Sequence, residues 1–303
     1  GLSYIEEVTF GTTPAGNFIT LPFNTHSLNI SKDRVQGNEI QPDRITRVDR
    51  HGNKQAGGDI VVDLRDGDFD AFLESAMFGT WDDSPVGLPD VLTVGTTLKT
   101  FTIEDAANDI TQYRLFSGMG VSSMAVSLAP NQMVTTTFTM VGSDGSISGT
   151  GKTLTAASTN QPFDSYSGDL SIGNVAAASA SAIVTGLDFT INNSLSPTFV
   201  VGSDATPQLE YGMAMVEGTM SAYFEDADLV NRFLNETESE LIVSVNDPTA
   251  ANEYTFNFPR IKINGADVPV GGQTGSRIVQ MPFVAIYDAT EGTNFFINRP
   301  DST

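Results

Sequence analysis

Two stretches 160 residues apart follow one plan, and that repeat constrains this chain more than any other feature. GDIVVDLRDGDFDAFLES begins at Gly58, and GTMSAYFEDADLVNRFLNE begins at Gly218. Each opens a β-like run with glycine, passes through acids and ends on a short segment carrying Phe-Leu at helical spacing. Upstream, SLNISKD from Ser27 and LDFTINN from Leu187 keep the same offset, and each precedes a long connection, 33–57 and 193–217. Downstream, QYRLFSG from Gln112 resembles EYTFNFP from Glu253. Element order and connection length agree together, which reads as duplication of one unit. The expected division is a first domain over 1–145, a Gly/Ser/Thr-rich linker over 146–165 and a second domain over 166–303. Residues 1–22 and 289–303 are candidate arms.

The unit is mainly β. Short runs rich in Thr, Val and Phe, separated by Gly, Asn, Asp and Pro, suit half-buried pleated surfaces. They predict strands over 27–31, 59–64, 100–104, 112–116, 121–128 and 134–141 in the first half. In the second half they predict strands over 183–191, 218–224, 241–245, 254–258, 260–263 and 278–286. Helical spacing over 68–78 and 228–235 predicts two short amphipathic helices. Acids stand before each: Asp66 and Asp68 before the first, Glu225 and Asp226 before the second. They are expected as helix-cap acids, because a carboxylate accepts from free backbone amides and suits the positive end of the dipole.

Charge narrows the partners. There are 37 acidic and 15 basic residues, a net charge of −22. Tight binding to nucleic acid needs clustered Lys and Arg, so such a surface repels DNA. Yet Lys32, Arg34, Arg44, Arg47, Arg50 and Lys54 fall close together. A locally basic loop on an acidic body suits contact with another acidic surface, most simply a second copy of the chain. No cysteine is present, which excludes disulfides, thiolate metal sites and a cysteine nucleophile. No apolar run is long enough to predict a membrane helix, and Gly1–Phe10 carries no signal-peptide pattern.

Motifs for chemistry fail on inspection. SISGTGKT, from Ser146, has serine where a phosphate loop needs its first glycine, and a Thr-rich stretch where a helix should open. DLRDGDFD, from Asp63, alternates carboxylates as a calcium loop does. It nevertheless places Ala71 at the turn-glycine position and Met77 at the bidentate-acid position. His26 and His51 are the only histidines, and no Gly-x-Ser-x-Gly elbow accompanies them. Nothing marks a glycosidase pair among the acids, and Trp81 follows the first helix, where it would seal packing. No catalytic, cofactor or metal residue is expected. A structural subunit is favoured over a decoration or receptor-binding module, and over an enzyme.

The opening YIEEVTFGTTPAGNF, then LPFNTHSLNISKD, GNEIQPDR and GNKQAGGDIVVDL, resembles the phage tail-tube protein family. GDLSIGN, LDFTINNSL, VVGSDA, VEGTMSAYF and YTFNFPRIKI continue the resemblance in order, over nearly the whole chain. It implies β-sandwich-like or barrel-like domains, each with a short flanking helix, that join laterally into rings around a lumen. Rings stack through long loops, with Lys32, Arg34, Arg44, Arg47, Arg50 and Lys54 as candidate inter-ring contacts. The lumen, expected to be acidic, would pass double-stranded DNA without adhesion. The resemblance further implies a tape measure protein inside the lumen, tail terminator and tail-tip proteins at the ends, and location in the tail of a long-tailed virion after synthesis in the host cytoplasm. Family rings commonly carry six domains, so two domains per chain would give a trimeric, pseudo-sixfold ring.

Overall fold

The computed structural model describes residues 1–43, 45, 47–84, 86–175, 177–180, 184–224, 227–248, 252–269 and 276–300. Strands take 51% of the chain and two short helices 5%, so strand pairing sets the architecture. The first half contains β1 (Leu2–Glu6), β2 (Phe18–Leu21), β3 (Thr25–His26), β4 (Asn29–Gln36), β5 (Asp49–Asp63) and α1 (Asp70–Met77). It continues with β6 (Asp90–Thr93), β7 (Phe101–Ala107), β8 (Gln112–Leu128), β9 (Thr135–Gly142) and β10 (Asp144–Ser148). After β11 (Leu154–Thr155) come β12 (Asp169–Asn174), β13 (Ala177–Ala180), β14 (Val184–Asn192), β15 (Ser196–Pro197), β16 (Leu209–Glu210) and β17 (Met215–Tyr223). The chain closes with α2 (Asp228–Leu234), β18 (Ser239–Asn246), β19 (Glu253–Ile263), β20 (Ile278–Ala285) and β21 (Phe296–Arg299).

The same pairings occur twice. In the first half β2–β1–β7–β8 form one sheet and β8–β9–β5–β4 another. In the second, β13–β12–β18–β19 and β19–β20–β17–β14 repeat both orders. The middle strand of each half, β8 or β19, serves both sheets. In β8 the transfer occurs at Gly118, whose φ of 67° lies in glycine's own region, and a Cβ there would lie 2.9 Å from the Ser143 Cβ.

Aromatic side chains fill the space between the sheets. Phe72 of α1 stacks on Phe101 at 4.8 Å, with Tyr4 edge-on to both. Phe189, Phe256, Phe258 and Phe295 form the matching cluster in the second half. All seven are at most 4% exposed, and each stabilises the fold by about 1.5–3 kcal/mol through burial.

The repeated glycine has a steric cause. A Cβ on Gly58 would lie 2.6 Å from the Ser27 carbonyl oxygen, and one on Gly218 would lie 2.6 Å from that of Asp188. Each glycine lets neighbouring strand backbones approach. Gly218→Ala is therefore expected to cost about 1–3 kcal/mol as an overpacking substitution. Urea denaturation checks this; an unchanged midpoint would rule out the close approach as the reason for glycine.

Three joints hold the halves together. Ser123–Leu128 of β8 pairs antiparallel with Leu187–Asn192 of β14. Strand β6 reaches across to pair with β21. The connection after β14 folds back on the first half: Asn193 Nδ2 donates to the Ala76 carbonyl at 2.7 Å, and Leu195 and Leu209 pack with Phe78. Beside β6 sits a polar cluster. Arg299 of β21 pairs with Asp70 and Asp90, and its guanidinium lies 4.3 Å from the Trp81 ring centroid. Trp81 stacks on Tyr254, whose hydroxyl donates to Asp70 and accepts the Gly67 amide at 3.2 Å.

Several elements differ from the sequence expectation. The connection 33–57 is largely a two-stranded arm, because β4 and β5 stay paired from Asn29–Gly57 out to Gln36–Asp49. The segments over 112–116 and 121–128 are one strand, as are those over 254–258 and 260–263. Both terminal segments join sheets: β1 pairs with β7, and β21 with β19 and β6. The stretch 146–165 docks along the first half, with β11 on β2 and Phe163 fully buried. Asp66 and Asp68 do not cap α1, whose N-cap, Phe69, makes no side-chain capping bond. Instead Asp68 accepts the Ser158 amide and Asp66 the Asn160 side chain, so these acids anchor that docked stretch. Glu225 and Asp226 lie outside the described residues.

Candidate functional site: an open sheet with a polar face and an arm

The joint between β8 and β14 makes one continuous sheet in the order β4–β5–β9–β8–β14–β17–β20–β19. Successive side chains on a strand point to opposite faces. One face, with Ile60, Phe138, Met124, Phe189, Met220 and Met281, is buried core. The other carries Thr135, Thr137 and Thr139 of β9, Ser127 of β8, Thr190 of β14 and Thr219 of β17.

Five carboxylates stand on this polar face: Asp59, Asp63, Asp188, Glu217 and Asp267. Neighbouring side chains position several of them. Thr139 donates to Asp59 at 2.8 Å, Asn24 to Asp63 at 2.7 Å, and Ser127 to Asp188. The cations of β19, Arg260 and Lys262, are already paired, Arg260 with Glu238 and Asp288 and Lys262 with Glu236. The Glu291 amide and then Arg260 hold Asp288 below the usual carboxylate range. This side of the sheet is thus acidic and rich in hydroxyls, with Met215 and Tyr223 of β17 exposed among them. Apart from Asp63, which opens the DLRDGDFD pattern, none of these acids was singled out from the sequence. The signal was the period-two alternation itself, as in DIVVD and TTTFT.

The sheet does not close on itself. Its two outer edges correspond to the pair joined inside the chain. Leu28, between the pairs His26–Ile60 and Asn29–Gly57, takes the place of Phe189, which pairs with Gly218. At the far edge, residues 264–269 continue β19 alongside β20, with Asn264 donating to the Pro282 carbonyl and Asp267 bridging to Gln280. Ala266 and Val268 turn to the core there, as Met124 and Val126 do in β8. Among the described residues no strand covers the outer edge of 25–31 or of 264–269.

The basic residues lie on or at the root of the arm, and the structure treats them unequally. Arg34 pairs with Asp49 across the arm at 2.7 Å, and Arg47 pairs with Asp43 near its tip. Lys54 pairs with Asp144 at 3.3 Å and Asp204 at 3.2 Å, and its amide donates to the Asp204 carbonyl. These contacts, the Asp204 bond first, raise the Lys54 ammonium above its ordinary pKa. Lys32 and Arg50 are exposed and make no ion pair among the described residues; Arg44 lies outside them. Beside polar residues such as Asp33 and Glu39, the arm exposes apolar Val35, Ile40, Ile45 and Val48.

The motifs tested for chemistry have structural roles. Lys152 places its ammonium over the Phe18 ring, and its amide donates to Glu104 rather than opening a helix toward an anion. His26 packs on Phe23, 3.6 Å from Asp105, and burial lowers its pKa. His51 is exposed on the arm.

No curated protein matches the chain. Residues 1–285 match the family described as phage tail tube protein.

Proposed function

The chain belongs to the phage tail tube protein family, and from that premise we propose how it builds the tube. A tail tube protein is a structural component of the virion tail that assembles with copies of itself. In this reading the open sheet of one chain continues into the next, edge 264–269 against edge 25–31, until three chains close a ring of six related units. The observation that carries it is the equivalence of those two free edges to the β8–β14 joint inside the chain. The joint supplies a pattern for one unit to accept the next, and an uncovered edge is otherwise an aggregation hazard that closure removes.

Closure turns the polar face inward. Asp59, Asp63, Asp188, Glu217 and Asp267 then line a lumen, repeated in every chain. DNA carries one charge per roughly 1.7 Å, so a basic wall would hold it at many points, whereas an acidic, hydroxylated wall lets it slide. Genomic DNA, passing during ejection, and a tape measure protein during assembly are the proposed occupants. Terminator and tail-tip proteins cap the ends of this long, ring-stacked tail.

Electron microscopy of the purified protein at rising concentration, with averages viewed down the particle axis, tests the reading. Hollow rings or tubes with three chains per layer are expected. Six chains per layer would overturn the two-units-per-chain closure, and compact monomers at every concentration would count against lateral closure itself.

A further inference from the structure

Resting on the stacked-ring reading, we infer that the arm of one chain docks into a cleft at the opposite end of a chain in the next ring. The cleft, of about 430 Å³, opens where the halves meet. Leu128 stands on one side, and Leu170, Val184 and Val243 on the other. Tyr166, 78% exposed, stands at its mouth beside Asp164 and Asp169. No lysine or arginine lines it.

Strand register places arm and cleft at opposite ends of the sheet. At one end Gly120 pairs with Val141, and Gly142 with Ala56, where the arm departs. At the other, Ser127 pairs with Thr135, Thr135 with Asp63, and Leu128 enters the cleft. Gly120 and Leu128 are roughly 26 Å apart at the usual rise per strand residue. Beyond Ala56 the arm continues through residues 49–55, whose one strand partner among the described residues is β4, with Lys54 tied to Asp144 and Asp204 at its root. That is about 23 Å of ribbon before the tip. An arm of that reach leaves one end of a ring and meets the other end of the ring stacked on it.

Surface chemistry matches as well. The arm offers exposed Ile40 and Ile45 together with Lys32 and Arg50, which make no ion pair among the described residues. The cleft offers an apolar floor and an acidic rim. Stoichiometry also agrees, because each chain has one of each. The equivalent of the arm in the second half folds back onto the first through Asn193 and Leu195. The equivalent of the cleft in the first half is closed, since Gly1 and Ala106 exchange backbone hydrogen bonds of 2.7 and 2.8 Å, and His26 packs on Phe23 beside Asp105.

The chain has no cysteine, so Ile40→Cys with Tyr166→Cys introduces the only two thiols. Both positions are exposed, which spares the core. Oxidised tubes of this variant are expected to shift from the single-chain band to a ladder of linked chains on a non-reducing gel. A control pair, Ile40→Cys with Ile147→Cys, is expected to stay single. As a second measurement, Ile40→Asp with Ile45→Asp is expected to leave rings but abolish tubes. Tubes that form without the ladder, or that survive the aspartates, overturn the cleft as docking site and leave the tube reading standing. If wild-type protein shows no rings or tubes under any condition, the tube reading fails, and this inference with it.

Discussion

A chain carrying Asn29→Cys and Asp267→Cys is expected to oxidise into a covalently closed species of three chains. Inside the chain, Phe189 pairs with Val126 and Ile191 with Met124. Carried to the free edges, that register sets Leu28 opposite Val268, Ile30 opposite Ala266 and Asn29 opposite Asp267. Cβ atoms directly opposite in an antiparallel pair lie about 4.5–5.5 Å apart, within reach of a disulfide with slight adjustment. Both residues are exposed, so folding should survive the change. A closed ring resists sodium dodecyl sulfate as one band, whereas an open polymer gives a ladder. Failure to link while rings persist would mean that the seam uses another register. Shifting Asn29→Cys to Ser27→Cys tests one alternative, since a two-residue slip keeps every side chain on its face while a one-residue slip turns them all over.

The second large effect concerns Arg299. Its guanidinium is the cation between Asp70 and Asp90, and Asp90 is wholly buried. Arg299→Ala leaves those carboxylates enclosed without it, a change that typically costs about 3–5 kcal/mol. A denaturant midpoint at neutral pH measures the loss. The pH dependence has a definite sign. Burial raises Asp70 above its ordinary carboxylate pKa, while Tyr254 and Arg299 oppose the rise. A carboxyl whose folded pKa is raised holds its proton more tightly when folded, so its contribution to stability falls as pH rises through that pKa. Removing Arg299 pushes Asp70 higher still. The deficit of the variant should therefore be full near pH 7 and shrink on acidification through the carboxylate range. A deficit independent of pH would show that Arg299 acts through its packing on Trp81.

The repeat was the part of the fold most legible in the sequence, because close strand approach demands glycine at both Gly58 and Gly218. The helices were legible too: the expected 68–78 and 228–235 became Asp70–Met77 and Asp228–Leu234. Long strands were harder to read. Glycine at 118 and 120 and proline at 259 look like breaks, yet β8 and β19 run through them, since those residues sit where each strand passes from one sheet to the other. The arm was hidden for a different reason. Its residues alternate little and stay exposed on both sides, so only cross-strand pairing identifies β4 and the start of β5. The sequence offered the six basic residues as candidate inter-ring contacts, without revealing that Arg34, Arg47 and Lys54 find acids within their own chain. Asp49 and Asp43 are near in sequence, but Asp144 and Asp204 become neighbours of Lys54 only through the fold.

The joint between β8 and β14 also bears on how fast and at what concentration such a structure can form. Every second seam of the proposed ring is made within one polypeptide, at an effective concentration set by the tether rather than by expression level. Assembly then scales with a lower power of subunit concentration than a ring of separate units would require. The seams inside a chain cannot be lost by dissociation, so a closing ring can stall or reopen only between chains. The two halves are also free to diverge, since each meets its neighbour in a fixed order. One can keep an arm while the other keeps a cleft, a division of labour that six identical subunits could not encode.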